Sequence, residues 1–193
     1  MCGRYQFTAD ESEELTKIVK EVERKSQLTS WTPGEIRPTA FAPVLLPGKK
    51  APEAELLTWG FKTTKSLIIN ARSETALDKP LFRERVMENR CVIPAAGFYE
   101  WDSEKRKFFF TVPGKHELYM AGILGFFERK LCFCILTTAA NSSMAETHDR
   151  MPLILDKEQI EPWLYDASAV KSILHLIPPQ LLRKSMEAQE SLW

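Results

Sequence analysis

The sequence predicts an α+β domain, with a curled, largely antiparallel, barrel-like β-sheet and peripheral helices. Three observations carry that reading. Segments 55–61, 66–71, 91–99, 107–112, 118–125 and 131–138 are short and rich in β-branched or aromatic residues, which fit a pleated, half-buried surface. Few helical patterns fall between them, unlike the strand–helix alternation that builds a parallel sheet. No repeat, linker or low-complexity stretch divides residues 1–193, so a single domain is expected.

The elements follow in order. Residues 10–25 read as a helix: Asp10 stands at its start, acidic residues fill the first turn, and Leu15, Ile18, Val19 and Val22 form one apolar stripe. From there to residue 55, Pro33, Pro38, Pro43, Pro47 and Pro52 predict loop, with a short strand around Val44-Leu45-Leu46. A helix is expected over 79–90. A strand over 152–155 leads into helices over 157–165 and 167–176, the first begun by Asp156.

Composition narrows the classes. With 44% hydrophobic and 27% charged residues the chain reads as a soluble globular protein. Twenty-six basic residues balance 26 acidic ones, which argues against a generally basic protein but leaves room for a local basic groove. No charged segment followed by an apolar one marks a signal peptide, and no apolar run reaches the roughly 18 residues of a membrane span. Cys2, Cys91, Cys132 and Cys134 show no CxxC spacing, so neither a metal site nor a disulfide framework is expected, and no cofactor. Cys132 and Cys134 alternate within an apolar run and are expected on one buried strand face. A reducing, cytoplasmic setting fits this usage.

Position two carries the most distinctive chemistry. Removal of Met1 leaves Cys2 as the terminal residue, with an amine and a thiol on adjacent carbons. Their ordinary pKa values are about 7.7–8.0 and about 8.5. Such an aminothiol condenses with an aldehyde to an imine, which the thiol closes into a five-membered thiazolidine. An internal cysteine cannot do this.

Three polar clusters interrupt apolar strands. Asn70 and Arg72, within Ile69-Asn70-Ala71-Arg72-Ser73-Glu74-Thr75, offer an amide to fix a ligand and a fork suited to phosphate; an ordinary strand end with a turn-forming Asn is the alternative. Glu100 stands between Tyr99 and Trp101, either passing protons from an apolar site or pointing to solvent from an edge strand. His148, in Thr147-His148-Asp149-Arg150-Met151-Pro152, is the candidate proton shuttle, since His116 lies in a turn and His175 among apolar helix residues. Arg150 either contacts phosphate or pairs with Asp149.

In this order the segments are specific. Met1-Cys2-Gly3-Arg4-Tyr5, Leu57-Thr58-Trp59-Gly60, Asn70 to Thr75, Ala96-Gly97-Phe98-Tyr99-Glu100-Trp101, Leu136-Thr137-Thr138-Ala139-Ala140, Thr147 to Pro152 and Trp163-Leu164 span most of the chain. The sequence resembles the SRAP family of abasic-site processing proteins. That resemblance implies recognition of an abasic site in single-stranded DNA, and a covalent link to it through Cys2 that shields the lesion. It implies that Glu100 moves protons at the Cys2 amine, that His148 helps open the sugar, and that Asn70 orients the sugar and Cys2. It further implies that Arg4, Arg72 and Arg150 hold phosphates and that Trp59 stacks against bases. Lyase-like activity and peptidase-like removal of Met1 belong to the same expectation; separately, a monomer without a membrane partner is expected.

Two segments depart from the family pattern. Phe61-Lys62-Thr63-Thr64-Lys65 replaces a proline and tryptophan after Trp59-Gly60, and Glu35 stands where an asparagine is usual. The segment after Pro179 matches poorly. Two other functions compete: an N-terminal-nucleophile hydrolase using Cys2, and a non-catalytic DNA-binding module.

Overall fold

A computed structural model describes residues 2–25 and 31–186. Met1, whose removal the amine chemistry of Cys2 requires, lies outside the described residues. In chain order the elements are β1 (Tyr5–Phe7), α1 (Glu13–Lys25), β2 (Gly34–Ile36), β3 (Phe41–Leu46), β4 (Glu53–Trp59), β5 (Phe61–Lys62), β6 (Leu67–Ile68) and β7 (Asn70–Arg72). There follow α2 (Pro80–Glu88), β8 (Arg90–Ala95), β9 (Gly97–Trp101), β10 (Lys107–Thr111), β11 (Leu118–Phe127) and β12 (Lys130–Ala139). The chain ends through β13 (Arg150–Pro152), β14 (Ile154–Leu155), α3 (Lys157–Tyr165), α4 (Val170–Leu174) and β15 (Leu182–Ser185).

The α+β expectation is borne out, and the sheet closes. Strands β12, β4, β3, β8 and β11 pair in succession, and β11 pairs back with β12. Closure removes the open edges that would otherwise invite pairing between molecules. Most ladders are antiparallel; β12 runs parallel to β4 at Cys132 and Phe133, then parallel to β7 from Ile135 to Thr137. A second, fully antiparallel sheet is ordered β15-β10-β9-β1-β2. The chain passes from barrel to second sheet at Ala96, between β8 and β9, and the Ala96 N–H donates to the Gln6 carbonyl at 2.8 Å. That corner joins the two sheets along β1.

The core fills the barrel and the seam. Cys91, Ile93, Cys134, Phe133 and Trp59 are fully buried, and Tyr5 of β1 packs on Trp59 with ring centroids 5.2 Å apart. Cys132 and Cys134 are both buried on β12, as their alternation predicts. Arg90 is also buried, and donates to the carbonyl oxygens of Val86, Met87, Trp163 and Leu164. It satisfies acceptors left at the ends of α2 and α3, which helix geometry cannot supply internally. Gly60 has φ +108°, a left-handed region that favours glycine. It turns the chain sharply out of β4.

Several boundaries differ from expectation. Ser12, not Asp10, starts α1: its hydroxyl accepts from the Leu15 N–H at 3.2 Å. The proline-rich stretch is not mainly loop, because β3 runs through Pro43 opposite Leu56. The 91–99 segment is two strands broken at Ala96, and β1, β2 and β15 were not anticipated. Asp156 does begin α3, in a reciprocal capping arrangement with Gln159. Among the described residues no helix is long and apolar enough to cross a membrane.

Candidate active site

The two sheets meet where the chain begins. Residues on either side of the seam converge on Cys2. Arg4, just before β1, accepts at its carbonyl from the Tyr99 N–H at 2.9 Å, which holds the first residues against β9. Asn70, the first residue of β7, reaches across from the barrel, and its Nδ2 donates to the Cys2 carbonyl at 2.8 Å. Its Oδ1 is buried without a hydrogen-bond partner among the described residues. Buried polar atoms are rarely left so, and such an atom is a ready acceptor for a ligand hydroxyl.

Glu100 lies on the face of β9 that carries Phe98, opposite Tyr99 and Trp101. It is only 4% exposed, so the solvent-facing alternative fails. Its Oε2 receives the Trp101 N–H at 3.4 Å. The backbone is tight at Gly97, where a Cβ would fall 2.4 Å from the Phe109 ring and 2.6 Å from the Phe110 carbonyl oxygen. Burial, and then the charge of Glu100, push the Cys2 thiol well above the ordinary cysteine range, against a weaker pull from a hydrogen bond with the Arg4 backbone. The thiol is protonated at neutral pH. Glu100 is thus close enough to Cys2 to act on it electrostatically.

His148 sits in the segment before β13. Its Nδ1 faces two partners: the Arg150 N–H donates to it at 2.9 Å, and Asp149 Oδ1 lies 2.8 Å away. The neutral ring, protonated on Nε2, satisfies the first contact; a protonated Nδ1 satisfies the second.

The arginines divide. Arg72 is exposed and makes no ion pair among the described residues. Arg4 lies with its guanidinium 5.0 Å from the Trp101 ring centroid, and contacts Glu35 at 3.5 Å. Arg150 does not pair with Asp149. It forks onto Glu74 at 2.7 and 2.8 Å and donates to the Thr137 carbonyl at 2.7 Å, bracing β13 against β12 and the turn after β7.

Trp59 requires correction. It is fully buried, its indole N–H donates to the Ile69 carbonyl at 3.0 Å, and its ring packs between Tyr5 and Phe133. A residue with no exposed face cannot stack on a base. Trp101, overlooked within the same motif as Glu100, is the partly exposed indole beside the site. Strict alternation from the inward Glu100 was the signal that places it outward. Glu74 and Lys107 had no such signal, since their partners lie far away in sequence.

A barrel with an attached sheet, wrapped around a buried cysteine at the start of the chain, defines the class of this protein. The chain belongs to the family described as SOS response associated peptidase (SRAP), which matches residues 1–190, including the C-terminal segment. It is 29% identical over 176 residues to the abasic site processing protein YedK of Escherichia coli, covering 85% of this chain and 79% of that one. It is 38% identical over 108 residues to the abasic site processing protein YoqW of Bacillus subtilis, covering 50% of this chain. The alignment spans about half (47%) of that relative's length. A crystal structure of a Bacteroides thetaiotaomicron protein superposes with a TM-score of 0.80 over 97% of this chain and 93% of the other, at 22% identity, a likeness of fold.

Proposed function

We propose that this protein captures abasic sites in single-stranded DNA by a covalent bond through Cys2. The observation that supports this most is the hydrogen bond from Asn70 to the Cys2 carbonyl, which fixes the start of the chain inside a built site. Once Met1 is removed, the Cys2 amine adds to the aldehyde carbon of the ring-opened sugar, and loss of one water gives an imine. The thiol then adds across the C=N bond. Its sulfur bonds to the former aldehyde carbon, its proton passes to nitrogen, and a thiazolidine results. No oxidant is needed, and the product is the sum of protein and DNA less one water.

Glu100 takes the role of moving protons at the amine and the thiol. The thiol needs such a partner, because burial keeps it protonated. His148 supplies a proton to the sugar oxygen as the ring opens. Asn70 holds Cys2 with its Nδ2 and offers Oδ1 to a sugar hydroxyl. Arg72 and Arg4 take phosphates; Arg150, committed to Glu74, acts mainly by bracing the His148 segment. Removal of Met1 by the same residues is part of this reading.

Intact-mass measurement after incubation with an abasic oligonucleotide tests it. The expected product survives heating and has the summed mass less one water. Cys2→Ala abolishes it but keeps weak DNA binding, whereas Cys2→Ser retains only a reducible imine and some strand cleavage. An undiminished adduct with Cys2→Ala overturns the mechanism. Turnover of a small amide without any adduct supports an N-terminal-nucleophile hydrolase instead.

A further inference from the structure

We propose that Glu35 stands in for a DNA backbone phosphate, holding Arg4, Arg37 and Lys107 in an anion cradle on the outer face of the second sheet that it yields when DNA binds. The inference rests on the DNA reading above. Glu35 pairs with Gln6 across β1 and β2, which places it on the outer face of the second sheet. Its Oε1 accepts from Arg37 Nη2 at 2.8 Å and Arg37 Nε at 2.9 Å, and meets Arg4 Nη1 at 3.5 Å. Its Oε2 accepts from Lys107 Nζ at 2.9 Å. Three cations from separate stretches of chain thus converge on one carboxylate, leaving a local excess of positive charge.

Aromatic rings fix two of the cations, Lys107 and Arg4, from behind. Lys107 Nζ lies 4.0 Å from the Tyr99 ring centroid and 5.6 Å from that of Trp101, over which Arg4 also rests. Such cation–π contacts orient the charges without neutralising them. Burial pushes the Glu35 carboxyl up, but Lys107, Arg37 and Arg4 outweigh it and hold the group below the ordinary glutamate range. It is ionised wherever DNA would bind.

A phosphodiester presents two anionic oxygens much as a carboxylate does, and an arginine fork fits either. The cradle is therefore formed before DNA arrives. Phosphate must nevertheless compete with Glu35, so reversible binding of intact strands is weakened. Covalent capture at an abasic sugar is not reversed by that competition. Glu35 thereby favours release of undamaged DNA.

Fluorescence anisotropy with an undamaged single-stranded oligonucleotide tests this, in a Cys2→Ala background across a salt series. Glu35→Gln is expected to bind about 3- to 10-fold tighter near 0.1 M salt, with a salt slope steeper by about 0.7, the increment for one more phosphate neutralised. Glu14→Gln, the same charge change on α1, is expected to leave affinity unchanged. Arg37→Gln and Lys107→Gln each weaken binding about 3-fold with Glu35 intact, and each reverses the gain of Glu35→Gln. Unchanged or weaker binding by a Glu35→Gln variant that melts normally overturns the proposal, as does an equal gain from Glu14→Gln. If Glu35→Gln fails to fold, undiminished binding by Arg37→Gln and Lys107→Gln overturns it. Absence of both DNA binding and adduct in the parent protein sinks the DNA reading itself. Normal binding and adduct that ignore Glu35 sink only the cradle.

Discussion

The amide of Asn70 donates to the carbonyl oxygen of Cys2 at 2.8 Å, joining the barrel to the first residues of the chain. Asn70→Ala leaves a carbonyl without its donor, a loss of about 1–3 kcal/mol to the local anchor. Adduct formation with an abasic oligonucleotide is expected to slow about 10-fold or more, with a much smaller effect on affinity for intact DNA. Single-turnover rates measured beside anisotropy separate the two. Equal losses in both would assign Asn70 to binding rather than positioning.

Arg72 and Arg150 come from strands that both pair with β12 but have different surroundings. Arg72→Gln is expected to lower DNA affinity about 3-fold or more and flatten its salt dependence, with an unchanged melting temperature. Arg150→Gln releases Glu74 and the Thr137 carbonyl, so it is expected to cost about 1–3 kcal/mol of stability. Thermal melts paired with a salt titration check both halves. A destabilised Arg72→Gln would contradict the assignment.

The Glu74–Arg150 pair also sets a pH dependence. The Arg150 guanidinium lowers the Glu74 carboxyl from 4.5 to about 2. A carboxyl that titrates lower in the folded chain adds stability above its unfolded value of 4.5, and that stability fades as pH falls through about 2. Glu74 is 37% exposed, so solvent screening limits the contribution to about 1 kcal/mol. Urea melts from pH 6 down to pH 2 are expected to show a shallower acid loss for Glu74→Gln. Identical profiles would show that the pair contributes nothing.

Trp59 yields a stability prediction in place of a recognition one. Trp59→Phe forfeits the bond to the Ile69 carbonyl and leaves space between Tyr5 and Phe133, at about 2–3 kcal/mol. Denaturant midpoints measure this. A variant of normal stability that binds DNA more weakly would restore Trp59 to the interface.

Periodicity revealed the barrel because β8, β11 and β12 are long and apolar. It missed β1, β2 and β15, which span three or four residues and acquire their strand character only through pairing. The proline-rich segment misled for a related reason: the strand containing Pro43 is held by its neighbours, not by local propensity. At the site, Asn70 and Glu100 stood out as polar residues flanking apolar runs, and Cys2 by its position as the second residue. Trp59 looked identical to a surface aromatic in sequence, because hydrophobic rings serve cores and interfaces equally well. Arg150 reads in sequence as a phosphate contact or a partner of adjacent Asp149, whereas its carboxylate comes from Glu74, 76 residues away. Ion pairs formed by folding leave no spacing to read.

The complete burial of the Cys2 thiol links reactivity to breathing of the fold. An alkylating reagent reaches that sulfur as the buried site opens, so the modification rate at Cys2 becomes a clock for local opening. Followed by peptide mapping beside the equally buried Cys91 and Cys134, it would compare fraying of the terminus with unfolding of the barrel. The residue proposed to detect damaged DNA is thereby also a built-in gauge of the molecule's own motion.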